Sequence, residues 1–280
     1  MKNKEKHFAL ALVVLLIGVF LPSKMVCGQV IEVGPSVGLS YYMGDINPKM
    51  PLRQSSLGLG AVVRYYGGTR WAFRLSYSYL NLHGDDAVSN YMPERGLAFK
   101  TTAHDVSIVA EFNFFDYFTG SKRSYISPYI FGGISGFYFN PKALDGTQLS
   151  GIITDVEDYE SVPKSPKYSN WSASVPFGVG VKYSAGKKVG LALEWRMNLT
   201  FTDWIDDCHA YYPQYNGTID DLQYIDPNGL AGNDMQYIQR GNRHDTDWFG
   251  YLNFSIVYKF VLPGNDDCNP GSDKKYSKNY

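Results

Sequence analysis

The stretch GLALEWRMNLTFTDWIDD, residues 190–207, decides the fold because its apolar and polar residues alternate strictly. Up to Phe201 every odd-numbered residue is apolar, whereas the even-numbered residues are small, polar or charged and include Glu194 and Arg196. Successive side chains of a β-strand point to opposite faces. The stretch therefore predicts a strand with one wholly apolar face and one charged face, followed by an acidic segment.

Seven further segments show comparable alternation between turn-forming residues. The eight predicted strands cover approximately residues 31–43, 57–66, 71–82, 100–115, 125–139, 171–184, 189–201 and 247–261. Several are a dozen residues or longer, whereas strands of globular proteins usually have about five or six. Strands of this length suit a tilted membrane crossing, which needs about 9 to 11 residues. The fifth segment differs from the others because it is apolar on both faces.

Aromatic residues mark the ends of the apolar faces. The chain contains 16% aromatic residues, including 23 Tyr. The pairs at opposite ends of single strands are Trp71 and Tyr79, Trp171 and Tyr183, and Trp248 and Phe260. Two aromatic girdles are typical of outer-membrane barrels. A soluble β-sandwich also alternates, but it turns its apolar face inward and uses shorter strands. The girdles favour the membrane arrangement.

The connections between the strands alternate in length. Those at 67–70, 116–124 and 185–188 are short, and those at 44–56, 83–99, 140–170 and 202–246 are long. Short periplasmic turns and long extracellular loops characterise outer-membrane barrels. We therefore predict an all-β fold, an eight-stranded antiparallel transmembrane β-barrel in the outer membrane, spanning residues 29–261. An eight-stranded barrel is just wide enough for side chains to fill, so we expect no open pore.

The N-terminal residues 1–28 are typical of a cleaved signal peptide, with early lysines, an apolar core and a small residue before Gln29. An alternative is a lipoprotein modified at Cys27. Residues 262–280 form a predicted periplasmic tail. Cys208 is predicted in an external loop and Cys268 in this tail, separated by an apolar band about 25 Å tall, so we expect no disulfide between them.

Composition excludes two other classes. The formal net charge is -1, which gives no electrostatic basis for binding nucleic acid. The mature sequence has no apolar run of about 18 residues, so helical membrane spans are not expected.

Charged residues on the inward faces are predicted to satisfy one another inside the barrel, because an unpaired buried charge is costly. The candidate interior cations are Arg64, Arg74, Lys182, Arg196 and Lys259, and the candidate interior carboxylates are Asp105, Glu111 and Glu194. Their expected role is stability.

The loop after residue 202 concentrates Asp, His and Cys side chains at both of its ends, which raises the hypothesis of a metal site. Its spacing matches no specific ligand pattern, and the simpler interpretation is an acidic, solvated loop. An outer-membrane lipid-modifying enzyme would need a base, for which His83, His104 and His209 are the candidates. No catalytic motif accompanies them. We expect a non-enzymatic protein without cofactor or metal.

The predicted periplasmic turns carry two pairs of basic residues, Lys122 with Arg123 and Lys187 with Lys188. A basic rim can dock an acidic protein partner. The alternative is contact with phosphate groups of the inner leaflet.

Three stretches resemble one protein family: SVGLSYYMGDIN (36–47), EWRMNLTFTDWIDD (194–207) and RGNRHDTDWFGYLNFSIVYKF (240–260). They are similar to the PorG-type outer-membrane barrels of Bacteroidetes, which are associated with type IX protein secretion. The most specific element contains Asp203, Trp204, Asp206 and Asp207, placed at the barrel rim. The loop after Asp207 is longer than a tight family turn.

This resemblance implies a component or membrane anchor of the secretion machinery, with periplasmic ring proteins, outer-membrane lipids and lipopolysaccharide as partners. The alternatives are a general, poorly conducting surface barrel and a lipid-modifying enzyme.

Overall fold

The structure, a computed structural model, describes residues 30–49, 51–156, 168–213, 221–230 and 238–261. The predicted signal peptide (1–28), the predicted tail (262–280), Cys27 and Cys268 lie outside the described residues. The absence of a bridge between Cys208 and Cys268 therefore stays a prediction.

Eight antiparallel strands form a closed barrel in which each strand pairs with its neighbours in sequence and β1 pairs with β8. The strands are β1 (Val30–Met43), β2 (Ser55–Tyr66), β3 (Trp71–Asp85), β4 (Ala98–Asn113), β5 (Ile126–Lys142), β6 (Trp171–Ser184), β7 (Val189–Thr200) and β8 (Trp248–Val261). Closure runs from Val30 opposite Val261 to Met43 opposite Trp248. The predicted eight-stranded antiparallel barrel is confirmed.

Four strands reach further toward the long loops than the sequence predicted. β2 begins at Ser55 and β4 at Ala98. β3 continues to Asp85 and β5 to Lys142. β5 is apolar on both faces because its inward side chains Phe137 and Phe139 pack inside the barrel while Ile130 points outward. An interior aromatic layer thus explains why this segment lacks the polar inner face of the other strands.

The outward face of the barrel is an apolar belt. The exposed fraction is 69% for Ile134, 58% for Ile108 and 54% for Leu193, whereas Glu194 and Arg196 on the other face of β7 are buried. Water does not favour so large a continuous apolar surface, and hydrocarbon requires a closed sheet in which every backbone group is paired. The barrel therefore spans the outer membrane, and the apolar face of each strand points toward lipid as predicted.

The connections contain only short helical segments among the described residues. They are the α-helices α1 (Asp86–Ser89) and α2 (Leu222–Ile225) and the 3-10 helices Pro51–Gln54 and Leu149–Gly151. No helix in this part of the chain is long and apolar enough to cross a membrane.

An aromatic contact on the outer wall depends on a glycine. Tyr41 lies across Gly250, where an added Cβ would be 2.1 Å from the Tyr41 ring. The Tyr41 hydroxyl thereby reaches the Trp195 indole, which donates to it, and the Met197 sulfur, 3.1 Å away. A side chain at position 250 would separate these groups.

We predict that Ile134→Arg destabilises the barrel by about 2–4 kcal/mol, because Ile134 lies at the middle of β5 and faces the bilayer core. Reversible unfolding in denaturant, with the protein folded into lipid vesicles, measures the change. Leu144→Arg is the matched control, since Leu144 is similarly exposed but lies beyond the end of β5. Equal destabilisation by both variants would contradict the assigned membrane position.

Candidate functional site

Five buried cations and four buried carboxylates project from the strands into the barrel. They are Arg64, Arg74, Lys182, Arg196 and Lys259, with Glu32, Asp105, Glu111 and Glu194. All eight interior charges proposed from the sequence face this interior. Glu32 lies in the predicted first strand but is not among the interior carboxylates proposed from the sequence.

Glu111 on β4 is the centre of the network. Its carboxylate lies 2.8 Å from Arg64 Nε and 2.6 Å from Lys182 Nζ. Arg74 Nε is 3.1 Å away, close enough for an ion pair although not aligned as a hydrogen bond. Three strands besides β4 thus direct a cation at one carboxylate, and register alone determines that they meet.

The other carboxylates complete the network. Glu32 accepts a hydrogen bond from Arg64 Nη1 at 3.0 Å. Glu194 pairs with Arg74 and accepts from the Tyr129 hydroxyl at 2.8 Å.

Two interior cations remain outside the Glu111 cluster. Arg196 Nη2 donates to Asp105 Oδ2 at 2.6 Å. Lys259 forms no ion pair with a described residue and donates instead to the Thr119 carbonyl, in the turn between β4 and β5. The predicted mutual neutralisation therefore holds for Arg64, Arg74, Lys182 and Arg196, which all pair with interior carboxylates. Lys259 instead stabilises the turn between β4 and β5.

Above this charged layer, toward the long loops, the interior is filled by an aromatic plug. Phe137 and Phe249 lie with ring centroids 5.3 Å apart, and Tyr42 meets Phe99 edge-on at 4.8 Å. All four are at most 1% exposed. These aromatic side chains fill the interior at this level.

The segment after β7 folds down onto the plug. Ile205 is fully buried among the aromatic residues, and its carbonyl accepts a hydrogen bond from the Thr101 hydroxyl at 2.5 Å. Trp204 stacks on Tyr168 with centroids 4.6 Å apart. The acidic residues predicted at the rim are carried inward with this segment.

Asp206 and Asp247 share one tyrosine. The Tyr42 hydroxyl lies 2.5 Å from Asp206 Oδ2 and 2.7 Å from Asp247 Oδ1. A hydroxyl carries one proton, so only one of these contacts can be donated by Tyr42. The other requires a proton on a carboxyl group, which makes the three groups a proton-sharing unit.

Burial of the acidic segment changes its protonation. Desolvation, together with the nearby carboxylates, raises the pKa of Asp206 and of Asp247 well above the ordinary range. Desolvation and repulsion from Asp206 raise the pKa of Asp203 to about 10. Desolvation, opposed by Arg240, raises the pKa of Asp207 to about 6. Much of the segment is therefore uncharged at neutral pH.

Arg95 ties three of the long loops together. Its guanidinium donates to Asp86 Oδ1 and Oδ2 at 2.7 and 2.8 Å, to the Asp45 carbonyl at 3.0 Å and to the Arg240 carbonyl at 2.6 Å. The Cys208 thiol, which is buried, donates to the same Arg240 carbonyl. Nothing in the sequence around Arg95 distinguished it from a solvated loop residue.

Arg240 and Asp155 attach the remaining loop. Arg240 Nη1 donates to the Asp207 carbonyl and lies 3.5 Å from Asp155 Oδ2. Asp155 also accepts three backbone hydrogen bonds, from His209, Ala210 and Tyr211, at 2.8 to 2.9 Å. We call this buried unit the cap. It comprises Asp45, Asp86, Arg95, Asp155, Asp203, Asp206, Asp207, Arg240 and Asp247.

The interpretation of the acidic segment as solvated is wrong. Asp203, Asp206 and Asp207 are 8%, 2% and 0% exposed. The apolar Ile205 between them packs among the aromatic residues of the plug, which places the neighbouring backbone inside the barrel mouth. The three sequence stretches that carry the family resemblance meet in the cap through Asp45, Asp206 and Asp247.

The candidate histidines are placed far apart. His209 Nδ1 lies 2.7 Å from Asp203 Oδ2, a hydrogen bond to a carboxyl that is protonated at neutral pH. His104 lies on the lipid-facing wall, 2.8 Å from the Tyr77 hydroxyl, and His83 contacts Ser56 at the same distance. Among the described residues, no cluster of three or more potential ligands could hold a metal ion.

The short-turn rim brings the two basic pairs onto one surface. Gly120 N donates to Ser184 Oγ at 2.8 Å, and Ser184 N donates to the Tyr125 carbonyl at 2.7 Å. The turn with Lys122 and Arg123 therefore packs against the turn with Lys187 and Lys188, and all four side chains are exposed. The alternation of short and long connections places both turns at one end of the barrel, but the sequence gives no sign of this contact.

The family model described as "Domain of unknown function (DUF6089)" matches residues 9–270. No curated protein matches the chain in sequence.

Several solved outer-membrane barrels are similar in structure. The attachment invasion locus protein Ail of Yersinia pestis is 11% identical, with a TM-score of 0.40, over 84% of this chain and 100% of that one. Neisserial surface protein A is 13% identical, with a TM-score of 0.39, over 82% and 97%. A major outer membrane protein from Thermus thermophilus is 13% identical, with a TM-score of 0.40, over 83% and 99%. At these values the similarities say nothing about what this chain binds or does.

We predict that Glu111→Gln destabilises the barrel by about 3–5 kcal/mol, because it removes the shared partner of three buried cations. Denaturant unfolding of the vesicle-inserted protein measures the effect. Asp116→Asn is the matched control: it breaks the Arg70–Asp116 pair, whose side chains are 51% and 55% exposed, and should cost at most about 1 kcal/mol. A similar small cost for both variants would show that the network is not required for stability.

We predict that the cap loses stability as the pH rises from 5 to 8. The carboxyl groups of Asp203, Asp206, Asp207 and Asp247 have folded-state pKa values above the ordinary value. The folded cap therefore binds protons more tightly than the unfolded segment. The stabilisation of the cap by bound protons is fully present below about pH 4. It is lost as the pH rises through the folded-state pKa values, about 6 for Asp207 and about 10 for Asp203. Hydrogen exchange of residues 203–209, corrected for the intrinsic rate, measures it.

Asp203→Asn provides the control for this pH dependence. The amide does not titrate, so the slope of cap stability against pH should fall by the equivalent of about one proton. A cap that is more protected at pH 8 than at pH 5 would refute the assigned protonation.

Proposed function

The chain belongs to the DUF6089 family, and we propose that this member is a non-enzymatic outer-membrane barrel that acts as a membrane anchor or component of the type IX secretion machinery. The resemblance of three stretches to PorG-type barrels of Bacteroidetes motivates the proposal. The observation that carries it is the contact between the turns of the short-turn rim, which gathers Lys122, Arg123, Lys187 and Lys188 on one exposed surface.

The filled interior supports a role at the surface of the barrel. The Glu111 network and the aromatic plug occupy the inside, and the cap covers the mouth. A barrel filled in this way is poorly suited to passing solutes. A periplasmic anchor needs no channel, since it contributes only a fixed position in the membrane and a docking surface.

The short-turn rim suits an acidic protein partner. Four cations on two contacting turns create a positive surface, which accelerates and orients docking to a negative one. Lys188 is further held by the edge of β8, where its carbonyl accepts from Lys259 N at 2.8 Å. The proposed partner is a protein of the periplasmic ring of the secretion machinery.

We predict that photo-crosslinkers at positions 122 and 187 capture ring proteins in living cells. Position 70 is the control, because Arg70 lies in the other short turn at the same end and is paired with Asp116. Replacing all four basic residues with Glu should lower the captured amount several-fold, on the order expected for reversing a steering surface. The inserted barrel, measured by its heat-modified migration on gels, should remain.

Normal cargo secretion by a strain lacking the protein would count against the secretion role. In that case the general surface barrel, which the sequence analysis left as the alternative, becomes the better interpretation. Altered lipid A in the same strain would instead favour the lipid-modifying enzyme.

A further inference from the structure

Three rows of side chains cross the outer wall on β3, β4 and β5. The register places Tyr79, His104 and Tyr138 in one row, Asn81, Thr102 and Asn140 in the next, and His83, Lys100 and Lys142 in the third. The rows run from the lipid belt toward the long loops. Aromatic, polar and basic chemistry thus follow one another along one side of the barrel.

The basic row points outward. Lys100 and Lys142 are exposed, and they share the parity of Ile108 on β4 and Ile134 on β5, which are exposed to lipid. The two lysines are direct cross-strand partners. Both ammonium groups therefore project from the same patch of the outer wall.

This pairing is unfavourable by itself, because like charges directly opposite on neighbouring strands repel. Neither lysine forms an ion pair with any residue that the structure describes. Asp85, the acidic residue closest in sequence to His83, caps α1 by accepting from Ala87 N at 2.8 Å. The two lysines thus face each other without an ion-pair partner among the described residues.

The height of the row matches a lipid headgroup. It lies four residues beyond the aromatic row along each strand, about 13 Å at the usual rise. With a strand tilt of about 40°, this is about 10 Å above the aromatic girdle that marks the membrane interface. The row therefore lies on the headgroup side of the interface, outside the hydrocarbon core.

We propose that Lys100 and Lys142, with His83 beside them, bind the phosphate of an outer-leaflet glycolipid headgroup. The phosphate oxygens supply the negative charge that the strands lack. The row of Asn81, Thr102 and Asn140 meets the polar linkage of the lipid, and Tyr79, His104 and Tyr138 border the start of its acyl chains. The site is independent of the short-turn rim at the other end of the barrel.

The test measures binding of purified diphosphoryl lipid A to the full-length protein in detergent micelles by native mass spectrometry. Wild-type protein should prefer this lipid over the same lipid with both phosphates removed. Lys100→Gln with Lys142→Gln should weaken binding roughly 30-fold, from about 1 kcal/mol for each lysine near a phosphate surface. Inorganic phosphate at the same concentration should not compete, because it lacks the acyl chains.

Lys49→Gln with Arg70→Gln is the matched control, with the same charge change at exposed positions outside the basic row, and should leave the affinity unchanged. Both double variants alter exposed side chains, and circular dichroism verifies their folding. Unchanged affinity in the Lys100 and Lys142 variant, equal binding of the dephosphorylated lipid, or competition by inorganic phosphate would each overturn the proposal.

Discussion

Backbone hydrogen bonding in hydrocarbon is the constraint on which the rest of this structure depends. An unpaired N–H or C=O group in the bilayer core costs several kcal/mol, so a sheet that crosses the membrane must close on itself. Here closure is made between β1 and β8, over a register that runs from Val30 to Met43. With eight strands the resulting cylinder is narrow, and its inward side chains must contact one another.

That narrowness turns the inward charges into a network. Glu111 receives cations from β2, β3 and β6, an arrangement that no single hairpin could provide. Breaking such a network is costly because the remaining groups stay buried. The interior therefore fixes the relative positions of distant strands, and the surfaces of the barrel are left as the places where it can act on other molecules.

In the cap, the long loops also bury charged groups, but only some of the acidic side chains are compensated by a cation. Arg95 and Arg240 compensate some of the carboxyl groups through ion pairs and backbone contacts. The others, such as Asp206 beside Tyr42, are accommodated by protonation. Two arginines cannot neutralise the carboxyl groups gathered around them, and burial makes the neutral carboxyl the less costly form.

The sequence by itself determined the number of strands and the two faces of each, because the alternation of apolar and polar residues is local to each segment. The aromatic residues at the strand ends determined which face points outward, and eight of the nine interior charges followed from these faces. The sequence also indicated the barrel rim as the place of the acidic motif. Only the tertiary structure decided which interior charges meet, that Arg95 belongs to the cap, that the acidic segment is buried, and that Lys100 faces Lys142. These facts depend on register, closure and loop packing, which bring together residues separated by up to the whole length of the barrel sequence, and no local pattern encodes such distances.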